Sequence, residues 1–191
     1  MLACTAYVDL NPVRAGAAET PEQSEFTSVY ERARAEKDAN IQRARAKHQK
    51  RRRRSKSADP QQPQFVRSDE WLTPVRLDER AVAYEGPMPS QTQRRASDKG
   101  FLAMSLETYL QFLDWTGRQI RHDGVGGRIP DYAEPILKRL GLQAQTWIAC
   151  VKGFGRYFKR VAGTPMSLAN EATKRGQICF HTRGSPLAGV T

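Results

Sequence analysis

The sequence predicts a mainly α protein, and three observations carry that prediction. Apolar residues recur at helical spacing in the segments that have any apolar pattern, and over 101–176 no stretch reads as a strand. The segments between them hold either helix-favouring Ala, Glu, Lys and Arg or helix-breaking Pro, Ser and Gly. Apolar residues make up only 39% of the 191-residue chain, so a core is expected over part of it and not the whole.

From the N-terminus, Leu2, Ala6 and Leu10 predict the tail of a helix. Asn11-Pro12 reads as an N-cap followed by proline at the first helical position, with a short turn over 13–15 stopped by Gly16. The polar stretch ETPEQSE suits a loop. A second helix is expected near Ser24, with Phe26, Val29, Tyr30 and Ala33 on one face. These elements form a first region, 1–35.

The second region, 36–100, begins with a basic helix that has little to bury beyond Ile41. Residues 43–56 hold nine Lys or Arg and no acid, which is most of the net charge of +11. DPQQPQ, GPMPSQTQ and RRASDKG then read as disordered linker, with a docking segment around Trp71 and Leu72.

The third region, 101–176, has the strong core pattern. Ser105 is placed to cap a helix whose face is Leu106, Leu110, Leu113 and Ile120, ended by DGVGG. Asp131 with Glu134 resembles a capping box, and Gly141 follows as a C-terminal stop. Trp147, Val151, Phe154, Phe158 and Val161 mark another helix, and Thr164-Pro165 opens a last one closed by Gly176. The expected architecture is a small bundle of about four helices with a flexible tail over 177–191.

A pI near 10.0 points to a polyanionic partner, nucleic acid before membrane. No apolar run approaches a membrane span, and MLACTAY has neither the charged nor the long apolar part of a signal peptide. Cys4, Cys150 and Cys179 are few, odd in number and widely spaced, so reduced thiols in a cytoplasmic protein are expected, with neither disulfide nor zinc site. For 43–56, contact with the phosphate backbone is expected over a merely solvated charge run, through Arg43, Arg45, Lys47, Lys50, Arg51, Arg52, Arg53, Arg54 and Lys56. Trp147, Phe154 and Phe158 sit on the apolar stripe and are expected in the core. Tyr157 with Lys152, Arg156, Lys159 and Arg160 lies off it and is the better candidate for a nucleic-acid face. Read alone, Tyr7 is an amphipathic tyrosine packing a helix face, Asn11, Pro12 and Gly16 are backbone punctuation, and Arg14 is a surface arginine or a phosphate contact.

AYVDLNPVRAG at 6–16, with FTSVYER about ten residues on, resembles the C-terminal end of the transposase domain of REP-associated tyrosine transposases. These are prokaryotic mobile-element enzymes of the single-tyrosine, HUH-type superfamily. RRASDKGFL and LDWTGRQI are similar to an extra region of longer members. The resemblance implies that Tyr7 descends from a nucleophile that attacks single-stranded DNA, leaving a 5′-phosphotyrosine and a free 3′ hydroxyl. A phenol, with a pKa near 10, is a weak nucleophile at neutral pH, so such an enzyme needs a metal to polarise the phosphate. An intact member holds Mg²⁺ through two histidines on a ferredoxin-like sheet that precedes the tyrosine helix.

This chain departs from that pattern. Its only histidines are His48, His122 and His181; none precedes Tyr7 and no two are spaced as a pair. The reading is therefore a truncated transposase-related DNA-binding protein, inactive alone, with Tyr7 a vestigial nucleophile, no cofactor bound by this chain, and single-stranded DNA as partner. A separate chain carrying the missing N-terminal part is a second expected partner. The alternatives are a non-catalytic basic nucleic-acid-binding protein and a non-functional gene fragment. On the truncation reading, Leu2, Leu10 and Val13 are expected to lack a packing partner, because short isolated helices are marginal in water.

Overall fold

The computed structural model describes residues 1–52, 67–78, 86–121, 130–158 and 161–180. Among the described residues the fold is mainly α: seven α-helices, with no strand beyond an isolated parallel bridge between Arg76 and Leu102. The helices are α1 (Leu2–Asp9), α2 (Asn11–Arg14), α3 (Ser28–Arg52), α4 (Leu106–Arg121), α5 (Glu134–Arg139), α6 (Ala144–Tyr157) and α7 (Pro165–Lys174), with a 3-10 turn at Pro21–Gln23. The chain forms two compact units: Met1–Ser24 with Glu107–Thr191, and Glu25–Leu106.

In the first unit, the N-terminal segment is not orphaned. Leu10 is fully buried and Val13 and Leu2 nearly so. The partners come from far along the chain: α1 packs on α6, and Leu10 meets α4, where a Cβ on Gly117 would lie 3.2 Å from Leu10 Cδ2. The expectation of unpartnered Leu2, Leu10 and Val13 is thus corrected, since α4 and α6 supply the apolar surface. The Tyr109 hydroxyl donates to Asp9 Oδ2 at 2.6 Å with both side chains buried, so a carboxylate entering the core finds its donor there.

α4 buries a wider face than the leucine spacing suggests. Tyr109, Phe112, Trp115 and Thr116 join Leu113 and Ile120 inside, while Leu106 and Leu110 are only half-buried. Trp147 of α6 is almost wholly buried; its indole N–H donates to Thr116 Oγ1 at 3.1 Å and its ring lies 5.0 Å from that of Phe112. Cys150, Phe154 and Phe158 continue the stripe, as expected for Phe154 and Phe158.

Helix ends agree with the sequence in part. Thr164 caps α7, its side chain accepting from the Ser167 N–H at 3.4 Å, and Gly16 stands at φ +70° past the end of α2. Asn11 is not an N-cap: α2 follows α1 after the single residue Leu10, and Asn11 Oδ1 accepts instead from Arg14 Nη1 at 3.3 Å. No capping box forms at 131–134, because the N-cap of α5 is Ala133, whose methyl carries no acceptor. The DGVGG stop and the tail from 181 onward lie outside the described residues.

In the second unit, α3 begins at Ser28, later than Ser24. Phe26 precedes it at φ +64° and is fully exposed, so it does not share the buried face. That face is Val29, Arg32, Ala35 and Ala39. Arg32 Nη2 donates to the Thr73 carbonyl at 2.7 Å, and Arg67 bridges Glu36 at 3.0 Å and Asp69 at 2.9 Å. Val75 and Leu102 are buried beside the bridge, whereas Trp71 is 57% exposed and Leu72 half-buried. The described parts of the expected linker, 67–78 and 86–100, therefore carry a defined polar framework. Within it, the Asp98 carboxyl is held below its ordinary range by the Gln91 N–H and then by Arg95.

Candidate nucleic-acid interface

Two basic surfaces emerge, one in each unit. The first is the C-terminal part of α3. Its described buried residues lie at or before Ala39, and each of residues 40–48 is exposed. Arg43, Arg45 and Lys47 therefore contribute nothing to a core. Arg43 is tethered along the helix by Glu36 at 3.2 Å and Asn40 at 2.9 Å. Lys50, Arg51 and Arg52 continue the helical backbone; Arg53, Arg54 and Lys56 lie outside the described residues. At 1.5 Å per residue, the nine residues 40–48 extend about 13 Å of helix with basic side chains on more than one side.

The second is a cleft in the first unit between the α1–α2 corner and α6. Its volume is about 610 Å³, and its lining includes Tyr7, Arg14, Lys152, Arg156 and Tyr157. One helical turn of α1 aims Tyr7 across at α6, where its ring lies 5.1 Å from that of Phe154. The tight α1–α2 junction brings Arg14 back over the same ring, its guanidinium carbon 4.3 Å from the centroid. From α6, Arg156 stands 5.3 Å from the centre of the Tyr157 ring.

Two α6 residues make this approach possible. A Cβ on Gly155 would lie 2.7 Å from the Tyr7 hydroxyl oxygen, and one on Gly153 would lie 2.3 Å from the Tyr157 ring. Both are closer than side-chain atoms tolerate, so an alanine at either position would push its phenol aside. The signal for them was in the sequence: two glycines inside a helical stripe, in KGFGR, mark a close approach of other atoms.

The fold thus joins residues singled out separately. Tyr7 and Arg14, which carry the resemblance, share one cleft with Lys152, Arg156 and Tyr157. Lys159 and Arg160 lie outside the described residues.

The cleft does not fit the Mg²⁺ that the resemblance implies. Its polar side chains are cations and phenols, and a divalent cation prefers carboxylate and other oxygen donors. The nearest carboxylate in sequence, Asp9, is buried and accepts from Tyr109. Among the described residues no group of three or more His, Cys, Asp or Glu is placed to hold a metal ion. His48 is exposed on α3, and His122 and His181 lie outside the described residues.

Fold and site together define a mainly α chain with an exposed basic helix and a cationic, phenol-bearing cleft. No protein-family model, no curated protein and no solved structure matches the chain. Among the described residues, no helix is long and apolar enough to cross a membrane.

Proposed function

We propose that this chain is a DNA-binding protein of transposase descent. The observation that carries the reading is the division of α3 into a packed N-terminal half, up to Ala39, and a basic stretch, 40–48, in which every residue is exposed. A helical extension that adds charge and no core stabilises the fold little, and phosphate contact gives it a use. Binding through it is electrostatic, indifferent to base sequence, and accompanied by release of counterions from the DNA.

Tyr7 is a retained nucleophile that does not cleave DNA by itself. The cations around it suit a phosphate, but they supply no metal ligand, and a separate chain would have to bring the histidine pair. The support for descent is the spacing from Tyr7 to NPVRAG.

Binding is tested by titrating DNA at several salt concentrations. Affinity falls steeply with salt, and the triple variant Arg43→Ala, Arg45→Ala, Lys47→Ala reduces the log–log slope by roughly 2–3. A flat salt dependence sinks the proposal. Catalysis is tested by incubating the chain with Mg²⁺ and a single-stranded hairpin. No covalent adduct forms; an adduct that disappears in Tyr7→Phe would show that the chain is an active nuclease.

A further inference from the structure

We propose that the cleft between the α1–α2 corner and α6 is a nucleotide site, which takes one phosphate of a single DNA strand together with its nucleoside. The inference rests on the DNA-binding reading for its polymer only; the cleft residues that argue it are separate from α3.

The charge of the lining is the first ground. Three cations, Arg14, Lys152 and Arg156, converge on one concavity with two phenols. Arg14 and Arg156 pair with no carboxylate among the described residues: Arg14 meets Asn11 and the Tyr7 ring, and Arg156 meets the Tyr157 hydroxyl and ring. Elsewhere in the molecule, Arg67, Arg94, Arg95, Arg118 and Arg175 each bind an acid. Arg14 and Arg156 instead stand beside neutral groups on one concavity, where an anion can reach both. Guanidinium and ammonium donors form the stronger, charge-assisted hydrogen bonds to phosphate oxygens, and phenol O–H groups complete such a shell.

The second ground is the cost of the shape. Two glycines within α6 each weaken that helix relative to alanine. What they gain is the seating of Tyr7 and Tyr157 against the helix backbone, with both phenols on the lining of the cleft.

Size favours a ligand larger than a bare anion. At about 610 Å³ the cleft is far larger than a phosphate ion and falls in the range of small-ligand sites. A nucleotide fills it better than an anion alone. A flexible single strand can turn one phosphate into such a recess, whereas the phosphates of a duplex are fixed along its outer edges.

The test measures binding of a fluorescent oligo(dT) strand and of a duplex at one salt concentration. It compares wild type, Lys152→Ala/Arg156→Ala, and the Arg43→Ala/Arg45→Ala/Lys47→Ala variant. The two α6 residues are exposed, so far-UV circular dichroism and Tm stay unchanged. The cleft variant loses tenfold or more in affinity for the single strand and under twofold for the duplex, and the α3 variant weakens both. Deoxythymidine monophosphate displaces the strand from wild type at millimolar concentration, and inorganic phosphate does so less well. Gly155→Ala, which crowds the Tyr7 hydroxyl, lowers single-strand affinity several-fold. Equal loss on strand and duplex in the cleft variant, or no loss on either, overturns the nucleotide site and leaves the α3 reading to its own salt test. Displacement by phosphate as readily as by the mononucleotide overturns the nucleoside part.

Discussion

Tyr109 and Asp9 meet across 100 positions of chain, and their hydrogen bond is the clearest single link between the N-terminal segment and α4. Both side chains are buried, so removing the donor weakens the solvation of a buried acid. Tyr109→Phe is expected to cost about 1–3 kcal/mol in urea denaturation, with the secondary structure unchanged. Cysteine chemistry separates the same way. Cys4 and Cys179 are exposed, while burial pushes the Cys150 thiol up to about 11. A maleimide at pH 8 should label the first two at once and Cys150 only on unfolding. The folded state holds the Cys150 proton more tightly than the unfolded state. Its contribution is therefore full below pH 9 and is lost as pH rises towards 11, by up to about 2–3 kcal/mol. Cys150→Ala should remove that part of the alkaline loss.

At the scale of elements, α3 tests how position along one helix sets the meaning of one residue type. Arg32 is buried, donates to the Thr73 carbonyl and lies 5.8 Å from the centre of the Phe101 ring. Arg45 is exposed. Arg32→Ala is expected to destabilise the Glu25–Leu106 unit by about 2–3 kcal/mol, and Arg45→Ala by less than about 0.5. Hydrogen exchange of α3 amides distinguishes them. Equal effects would mean that α3 has no packed half. The sequence marked α3 as basic and helical, but it expected Phe26, Val29, Tyr30 and Ala33 to share a face. Phe26 falls outside because α3 starts two residues after it: the Thr27 hydroxyl accepts from the Tyr30 N–H at 3.3 Å and Phe26 itself stands at φ +64°.

At the scale of the whole molecule, Met1–Ser24 belongs with Glu107–Thr191 although more than eighty residues separate them. Deleting 1–24 would uncover the faces of α4 and α6 that hold Leu10 and Tyr7. The deletion is expected to abolish the cooperative thermal transition of that unit, read by near-UV circular dichroism. A retained transition would show that the C-terminal helices form a bundle without α1 and α2.

The sequence by itself determined the helical class, the apolar stripe of Trp147, Phe154 and Phe158, the caps at Thr164 and Gly16, and the charge of 43–56. All of these depend on spacing and local backbone preference, which a few consecutive residues contain. The tertiary structure alone decided that Leu2, Leu10 and Val13 have partners, that 67–78 is tied to α3 through Arg32 and Arg67, and that Tyr7 and Arg14 share a cleft with α6. Those facts depend on which distant surfaces bury each other, and no local period encodes that. KGFGR stands between the two cases. Its glycines were visible in the sequence, but only the packed Tyr7 and Tyr157 rings reveal what they make room for.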